Sequence, residues 1–214
     1  MAPSRTYRSG HRQRQAEDTR RRILSAARKL FAEKGYAATS VSDLAAEADV
    51  SVPTLYASVG TKPQLARALV EFVNEEGGVL ENDAWQRQAT TPEELLRRNM
   101  HLVRELNEKC GDIMRAARSA AHSEPDLVPV VEAGDGYHRD GEYAIAAALA
   151  QMGGLREGIS VDRAGAIITV LASSGSIDQL VLEHGWSYDE VESWLVQTLT
   201  ELLLDPEADS AEDA

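Results

Sequence analysis

The stretch that decides the fold is DVSVPTLYASVGTK, running from Asp49 to Lys62. Ser51, Pro53, Thr54 and Tyr56 fall within six residues of one another, and Lys62 follows the tyrosine by six. A helix buried in a core has no use for that composition. Ser51 suits a helix N-cap, and Pro53 is tolerated in a first turn because the amides there lack an intrahelical partner. Just upstream, Ser40 and Asp43 stand at capping-box spacing, with Val41, Leu44, Ala45 and Ala48 on one side of the helix they start. Two short helices joined by a tight turn, residues 40–48 and 51–58, read as a helix-turn-helix. In that motif the second helix enters the major groove with its N-terminal residues on base edges. Small residues at Val52, Pro53 and Thr54 let the backbone approach DNA, and Thr54 and Tyr56 carry hydroxyls for phosphates or bases. Lys62 stands where the next helix begins, so a cation and unpaired amides meet at one phosphate-sized point. A plain helical hairpin with a packed Tyr56 satisfies the same spacing.

Working outward, the 3.6-residue period continues in both directions. Ile23, Leu24, Ala27, Leu30 and Phe31 form a stripe that ends at Gly35, a left-handed cap, with Tyr36 placed against Phe31. Thr61 and Gln64 open a helix carrying Leu65, Ala68, Leu69, Phe72 and Val73. Thr91, Pro92 and Glu94 begin another, which the spacing ends near Cys110, with Gly111 as breaker and a shorter helix reaching His122. Pro125 starts a segment through Met152, weakened at Gly134, Gly136 and Gly141, which reads equally as a yielding helix or a loop. A helix over 160–184 would be about 37 Å long and end at Gly185, with Trp186 folded back onto Val181. Ser187 and Glu190 cap the last helix. The chain is predicted to be all-α, with about nine helices and no internal repeat.

The charge is uneven. The 214 residues carry a formal net charge of -13, yet residues 1–65 hold 11 Lys and Arg against 6 acids, and the remainder 11 against 29. A basic end on an acidic body points to a nucleic-acid-facing head, the bland alternative being a basic tail without a partner. The basic N-terminus lacks the apolar run of a secretory signal, and Glu17 and Asp18 argue against a transit peptide. No run of 18 apolar residues suggests a membrane span. The single cysteine, Cys110, forbids an internal disulfide and fits a reducing compartment, so the cytoplasm is expected. The expected domains are a disordered basic arm (1–18), a helix-turn-helix domain (19–65), a larger helical domain (66–204) and a disordered acidic tail (205–214).

From Arg20 to Leu69 the chain resembles the DNA-binding domain of the tetracycline-repressor (TetR) family of bacterial transcription regulators. The residues that carry the likeness are ILSAARKLFAEKGY, TSVSDLAAEADVS and PTLYASVGTKPQL. The resemblance implies that Val52, Pro53, Thr54 and Tyr56 belong to the recognition helix, that Ser51 at its cap is among the DNA-binding residues, that Thr39 and Ser40 contact the DNA backbone, and that Lys62 grips a phosphate. Val59 stands where the family usually has an aromatic, and Pro53 where Gly is commoner. A weaker resemblance covers GGLREGISVDRAGAIITVLASSG and GWSYDEVESWLVQTLTELLL, which are similar to the family's two dimerisation helices. It implies a homodimer through a four-helix bundle, with Ala164, Ile167, Ile168, Leu171, Val191, Trp194, Leu195, Thr198, Leu199 and Leu202 in the seam, although some of that stripe suits an intrachain core.

Enzyme signatures are absent from the sequence. There is no G-x-S-x-G elbow, no P-loop and no two-histidine helix motif, and GDGYHRDG has the wrong spacing for a dinucleotide loop. The histidines have no ligand spacing with Cys110, so no metal and no cofactor is expected. The resemblance implies a small-molecule pocket in the central helices. Candidate wall residues, chosen for size and placement, are Met100, Arg104, Met114, Tyr137 and Tyr143. The expected function is a ligand-responsive repressor that binds a palindromic operator in double-stranded DNA as a homodimer. The alternatives are an activator, a ligand-independent regulator, or an all-α ligand-binding or catalytic protein with a vestigial helix-turn-helix.

Overall fold

The computed structural model describes the backbone of residues 5–76, 85–86 and 88–206, and the side chains of 13–69, 85–86 and 88–206. Every regular element among them is helical, apart from an isolated antiparallel bridge between Leu155 and Leu204. In order these are α1 (Arg5–Lys34), α2 (Val41–Glu47), α3 (Val52–Val59), α4 (Lys62–Glu76) and α5 (Pro92–Ala121). A 3-10 turn (Pro125–Leu127), α6 (Val128–Gln151), α7 (Val161–Leu171), α8 (Ser174–Asp178), a π turn (Gln179–Glu183) and α9 (Tyr188–Leu203) follow.

The chain divides into two compact units, Met1–Asn74 with Asp112–Val131, and Glu75–Gly111 with Glu132–Ala214. A single cut after residue 65 was expected, but the first unit also takes in the C-terminal part of α5. Side chains within that unit bridge α1 and α5. The Arg28 guanidinium on α1 makes a two-pronged ion pair with Asp112, Nε to Oδ2 at 2.7 Å and Nη2 to Oδ1 at 3.1 Å. The arm expected to be disordered is helical from Arg5, continuous with α1. It is rich in Arg and Gln, which favour helix, and the helix behind it is already nucleated by tertiary packing.

In the first unit, Ile23, Leu24, Ala27, Leu30 and Phe31 are buried with Leu44 and Ala45 of α2, Leu55 and Val59 of α3, and Leu65, Ala68 and Leu69 of α4. Phe72 and Val73 lie outside the described side chains. Gly35 has φ +80, and the Tyr36 ring lies 5.1 Å from that of Phe31, the expected cap. The turn between α2 and α3 has no glycine. Asp49 takes the left-handed position itself, φ +52, while Val50 N–H donates to Ala45 O at 2.9 Å and Asp49 N–H to Ala46 O at 3.2 Å. That pair of bonds is a Schellman closure, and aspartate is among the few residues that adopt it at modest cost.

In the second unit, one apolar cluster joins Leu95, Leu96, Met100 and Val103 of α5, Ile145, Ala146 and Leu149 of α6, Ala164 and Ile168 of α7, and Val191, Leu195, Leu199 and Leu203 of α9. Three sequence expectations change here. Gly111 does not break α5, which runs 30 residues. Cys110 and Ile113 on either side of it are buried, and that burial outweighs the ~1 kcal/mol a helical glycine costs. Gly134, Gly136 and Gly141 likewise lie inside a continuous α6. The stretch 160–184 is not one helix: Ser173 is extended (φ -65, ψ 145), and its side chain caps α8 by accepting from Ser176 N–H. By length and composition alone Val161–Glu183 is apolar enough to cross a membrane, but the backbone is interrupted at Ser173. The expected tail from residue 207 onward lies outside the described residues.

Gly165 on α7 faces Tyr143 on α6, where an added Cβ would stand 2.8 Å from the ring. Gly165→Ala is expected to cost about 1–3 kcal/mol through overpacking, measured by urea unfolding. The loss should shrink in a Tyr143→Ala background. An equal loss there would show that the ring is not the obstacle.

Candidate functional site

The α2–α3 unit is held by caps at both helix starts. Ser40 Oγ accepts from Asp43 N–H at 3.1 Å, and Asp43 Oδ2 accepts from Ser40 N–H at 3.0 Å, a complete capping box. The Ser40 hydroxyl, which donates to Asp43 Oδ2 at 2.8 Å, and then the Ser40 N–H hold the Asp43 carboxyl below its usual pKa. Ser51 Oγ accepts from Thr54 N–H at 3.2 Å and lies 2.7 Å from the Thr54 hydroxyl. Leu55 and Val59 are buried, which turns Pro53, Thr54, Tyr56 and Ala57 outward. Tyr56 is 47% exposed, a large aromatic left open on a helix whose opposite side is core. Val52 is half-buried at the edge of that surface. The packed-tyrosine alternative does not describe this geometry.

Two of the candidate DNA contacts sit differently from the expectation. Thr39 is buried, and its hydroxyl donates to Gly35 O at 2.8 Å, with Leu30 O at 3.3 Å. Its side chain ties the end of α1 to the start of α2 and is not presented to a ligand. Lys62 is half-buried with Nζ 4.1 Å from the centroid of the Tyr36 ring. Burial lowers its pKa, and the charge of Glu124 opposes that shift. The Tyr36 hydroxyl beneath is buried, and burial pushes its pKa up to about 12, with Glu124 nearby adding to the shift. A capping box from Thr61 and Gln64 orders the same helix start, Thr61 N–H donating to Gln64 Oε1 at 2.8 Å.

The five candidate ligand residues do not form one wall. Met100 is fully buried core, Tyr137 is 64% exposed, and Tyr143 packs against Gly165. Arg104 is committed to ion pairs: its Nε lies 2.9 Å from Glu192 Oε2, with Glu108 and Asp189 on its other nitrogens. Met114 is half-buried and belongs to the first unit. None of the five lines the shallow surface depression formed by Trp186, Asp189, Glu190 and Ser193.

The second unit holds instead a string of polar side chains that sequence reading passed over. Gln86 Nε2 donates to Asn99 Oδ1 at 2.7 Å, and Asn99 Nδ2 donates to Glu142 Oε2 at 2.7 Å. The other carboxylate oxygen, Oε1, has His138 Nδ1 at 3.6 Å. Glu142 is 4% exposed, and burial pushes its pKa up to about 7 against the Asn99 hydrogen bond, which lowers it. The available signal was an acid one turn before Ile145 and Ala146 on the buried side of a helix.

The expected dimer seam is also redistributed. Ala164, Ile168, Val191, Leu195 and Leu199 are intrachain core, each at most 1% exposed, because α7 and α9 close over α5 and α6. Ile167, Leu171, Trp194 and Thr198 are partly exposed, and Val170 (65%), Leu182 (58%) and Leu202 (47%) are open apolar side chains.

Comparison with known proteins bears on both units. The family model "Bacterial regulatory proteins, tetR family" matches residues 23–69. A helix-turn-helix transcriptional repressor of Mycobacterium tuberculosis is 44% identical over 57 residues, 27% of this chain. The chain spans about 30% of the length of that relative. Similar solved structures cover nearly the whole chain. The TetR-family regulator PfmR of Thermus thermophilus aligns with TM-score 0.70 and 25% identity over 84% of this chain and 97% of its own. A transcriptional regulator of Saccharomonospora viridis in complex with choline aligns with TM-score 0.71 and 17% identity over 88% and 99%. The regulator FadR of Bacillus subtilis in complex with stearoyl-CoA gives 0.68 and 19% over 84% and 96%.

The buried carboxylate makes stability depend on pH in a stated direction. The unfolded carboxyl ionises near 4.5 and the native one near 7, so the native state holds the proton more tightly. Stability from this group is complete below about pH 4.5 and is lost as pH rises to about 7, by about 3 kcal/mol. Glu142→Gln keeps an acceptor for Asn99 and removes the ionisation. In urea unfolding the variant should gain on the wild type between pH 5 and pH 8. A difference that stays flat with pH would contradict the raised pKa.

Proposed function

Since this chain is, by its N-terminal domain, a member of the tetR family of bacterial regulatory proteins, we propose that it is a cytoplasmic DNA-binding transcription regulator. It acts as a homodimeric repressor on a palindromic operator and is released by a small molecule. The observation that carries the reading is the capped α2–α3 pair, which turns Pro53, Thr54 and Tyr56 outward while Leu55 and Val59 are buried. Dimerisation is supported by the open side chains Val170 and Leu202 in the stretches that resemble dimerisation helices, with the open Leu182 between those stretches. The two-fold axis would set half-sites about one helical turn apart. Small-molecule control is supported by the complexes of two structural neighbours with choline and stearoyl-CoA. It is supported as well by α5, a single helix that contributes residues to both units. Repression rests on the name of the mycobacterial relative.

The test is a gel shift with DNA flanking the chain's own gene. Tyr56→Phe should weaken operator binding about fivefold through one lost hydrogen bond. Lys62→Gln should flatten the salt dependence by about one unit of slope per subunit. Full affinity in both variants across a salt titration would contradict this docking surface.

Charges at the open apolar positions test assembly. Val170→Asp combined with Leu202→Asp should leave a folded protein, because neither residue is core. It should become monomeric in sedimentation and lose operator binding, since an unpaired charge in a seam costs several kcal/mol. A variant that stays dimeric would move the interface elsewhere.

A further inference from the structure

Within the first unit, α1 begins well before its core does. The helix starts at Arg5, whereas Ile23 is its first buried residue among the described side chains. Gln13 to Asp18 are exposed, Thr19 and Arg20 half-buried, and Arg21 and Arg22 exposed again. Residues 5–22 hold Arg5, Arg8, Arg12, Arg14, Arg20, Arg21 and Arg22 against Glu17 and Asp18, and contain no Leu, Ile, Val, Met, Phe or Trp. A helix that is polar all round gains little from packing on its own chain. Further along α1 the cations are matched within the unit, Arg28 by Asp112 and Lys29 by Glu47.

The register of the extension follows from helical geometry. Five turns take about 18 residues, so Arg5, Arg8 and Arg12 stand at the register of Ile23, Ala26 and Leu30. Those three are buried in the unit that α1 forms with α2 and α3. The helix leaves the core beside the turn that precedes α3. There Arg22 Nη1 lies 3.9 Å from Asp49 Oδ2 and 3.5 Å from Asp49 O, and Asp49 stands just before the Ser51 cap. The extension thus starts at the edge of the proposed DNA-facing surface. It is about 27 Å long, the span of about eight base-pair steps.

We infer that residues 5–22 are a second DNA-binding element, which lies along the duplex flanking the bases proposed for α3 and neutralises its phosphates with Arg5, Arg8 and Arg12. This element rests on the DNA binding proposed above and lies outside the helix-turn-helix. Phosphates fit the stretch because they offer a regular row of negative charges, and a guanidinium binds each in a fork. A lipid surface fits poorly, since an interfacial helix needs an apolar face to bury. Such contacts read no bases; they add salt-dependent affinity and hold the protein in register on its site.

The experiment combines Arg5→Gln, Arg8→Gln and Arg12→Gln in the full chain, glutamine having a similar helix propensity. The probe is the duplex from beside the chain's own gene that the wild type retards in the gel shift, bound in a salt titration. The triple variant should bind at least about tenfold more weakly at about 0.1 M salt, with a salt dependence flatter by about three units of slope per subunit. Arg163→Gln, at an exposed arginine of the second unit, should change neither. Wild type and variant should be equal on the shortest duplex that the variant binds with undiminished affinity. Adding about one helical turn of arbitrary sequence to each end should restore the advantage of the wild type. Thermal unfolding should be the same for both, because the extension lies before the first buried residue. Equal salt slopes, or a loss that persists on the short duplex, would overturn the second element and leave the helix-turn-helix reading in place. A wild type that retards no such duplex even at low salt would overturn both.

Discussion

A helix begins with amides that have no partner inside it, and a chain made of helices must answer that need many times over. Here serine and threonine answer it. Ser40, Ser51, Ser160, Ser173 and Ser187 each accept from an amide in the first turn, and Thr61 and Thr91 do so through the N–H groups of Gln64 and Glu94. The caps decide where each helix starts and therefore which residues form its first turn. For α3 that placement bears on the proposed DNA contacts: with Ser51 outside the helix, Pro53 and Thr54 must stand in its opening turn.

The same constraint links the proposed DNA-facing surface to the core beneath it. Thr39 gives its hydroxyl to Gly35 O, leaving Ser40 to cap α2, and the left-handed Asp49 closes α2 so that α3 can start two residues later. Leu44 and Leu55 then lie fully buried against α1. A residue expected to touch DNA can thus belong to the frame that aims the contacts. Lys62 shares both characters, since its ammonium rests over the Tyr36 ring at the start of a helix whose free amides suit a phosphate.

The second unit follows another logic. Its apolar cluster is continuous from α5 to α9, and the charged side chains at its margin pair with one another, as Arg104 does with Glu192. Glu142 is the exception, an acid taken inside beside the Asn99 amide and the His138 ring. Groups so placed depart from their ordinary pKa, and departures of that size gather where a protein binds or reacts.

The sequence by itself determined the local structure. Periodicity and caps located most of the helices, Gly35 announced its own left-handed turn, and Ser51 marked the start of α3, because each of these features is settled within a few residues. Tertiary structure decided what depends on distant neighbours. Gly111 stays helical because Cys110 and Ile113 beside it are buried, and the 160–184 stretch bends where Ser173 caps a new helix. Ile168 and Leu199 became core because α7 and α9 close over α5 and α6, which an apolar stripe alone cannot distinguish from a dimer seam. Asn99 and Glu142 are 43 residues apart, and only the packing of α5 on α6 makes them partners.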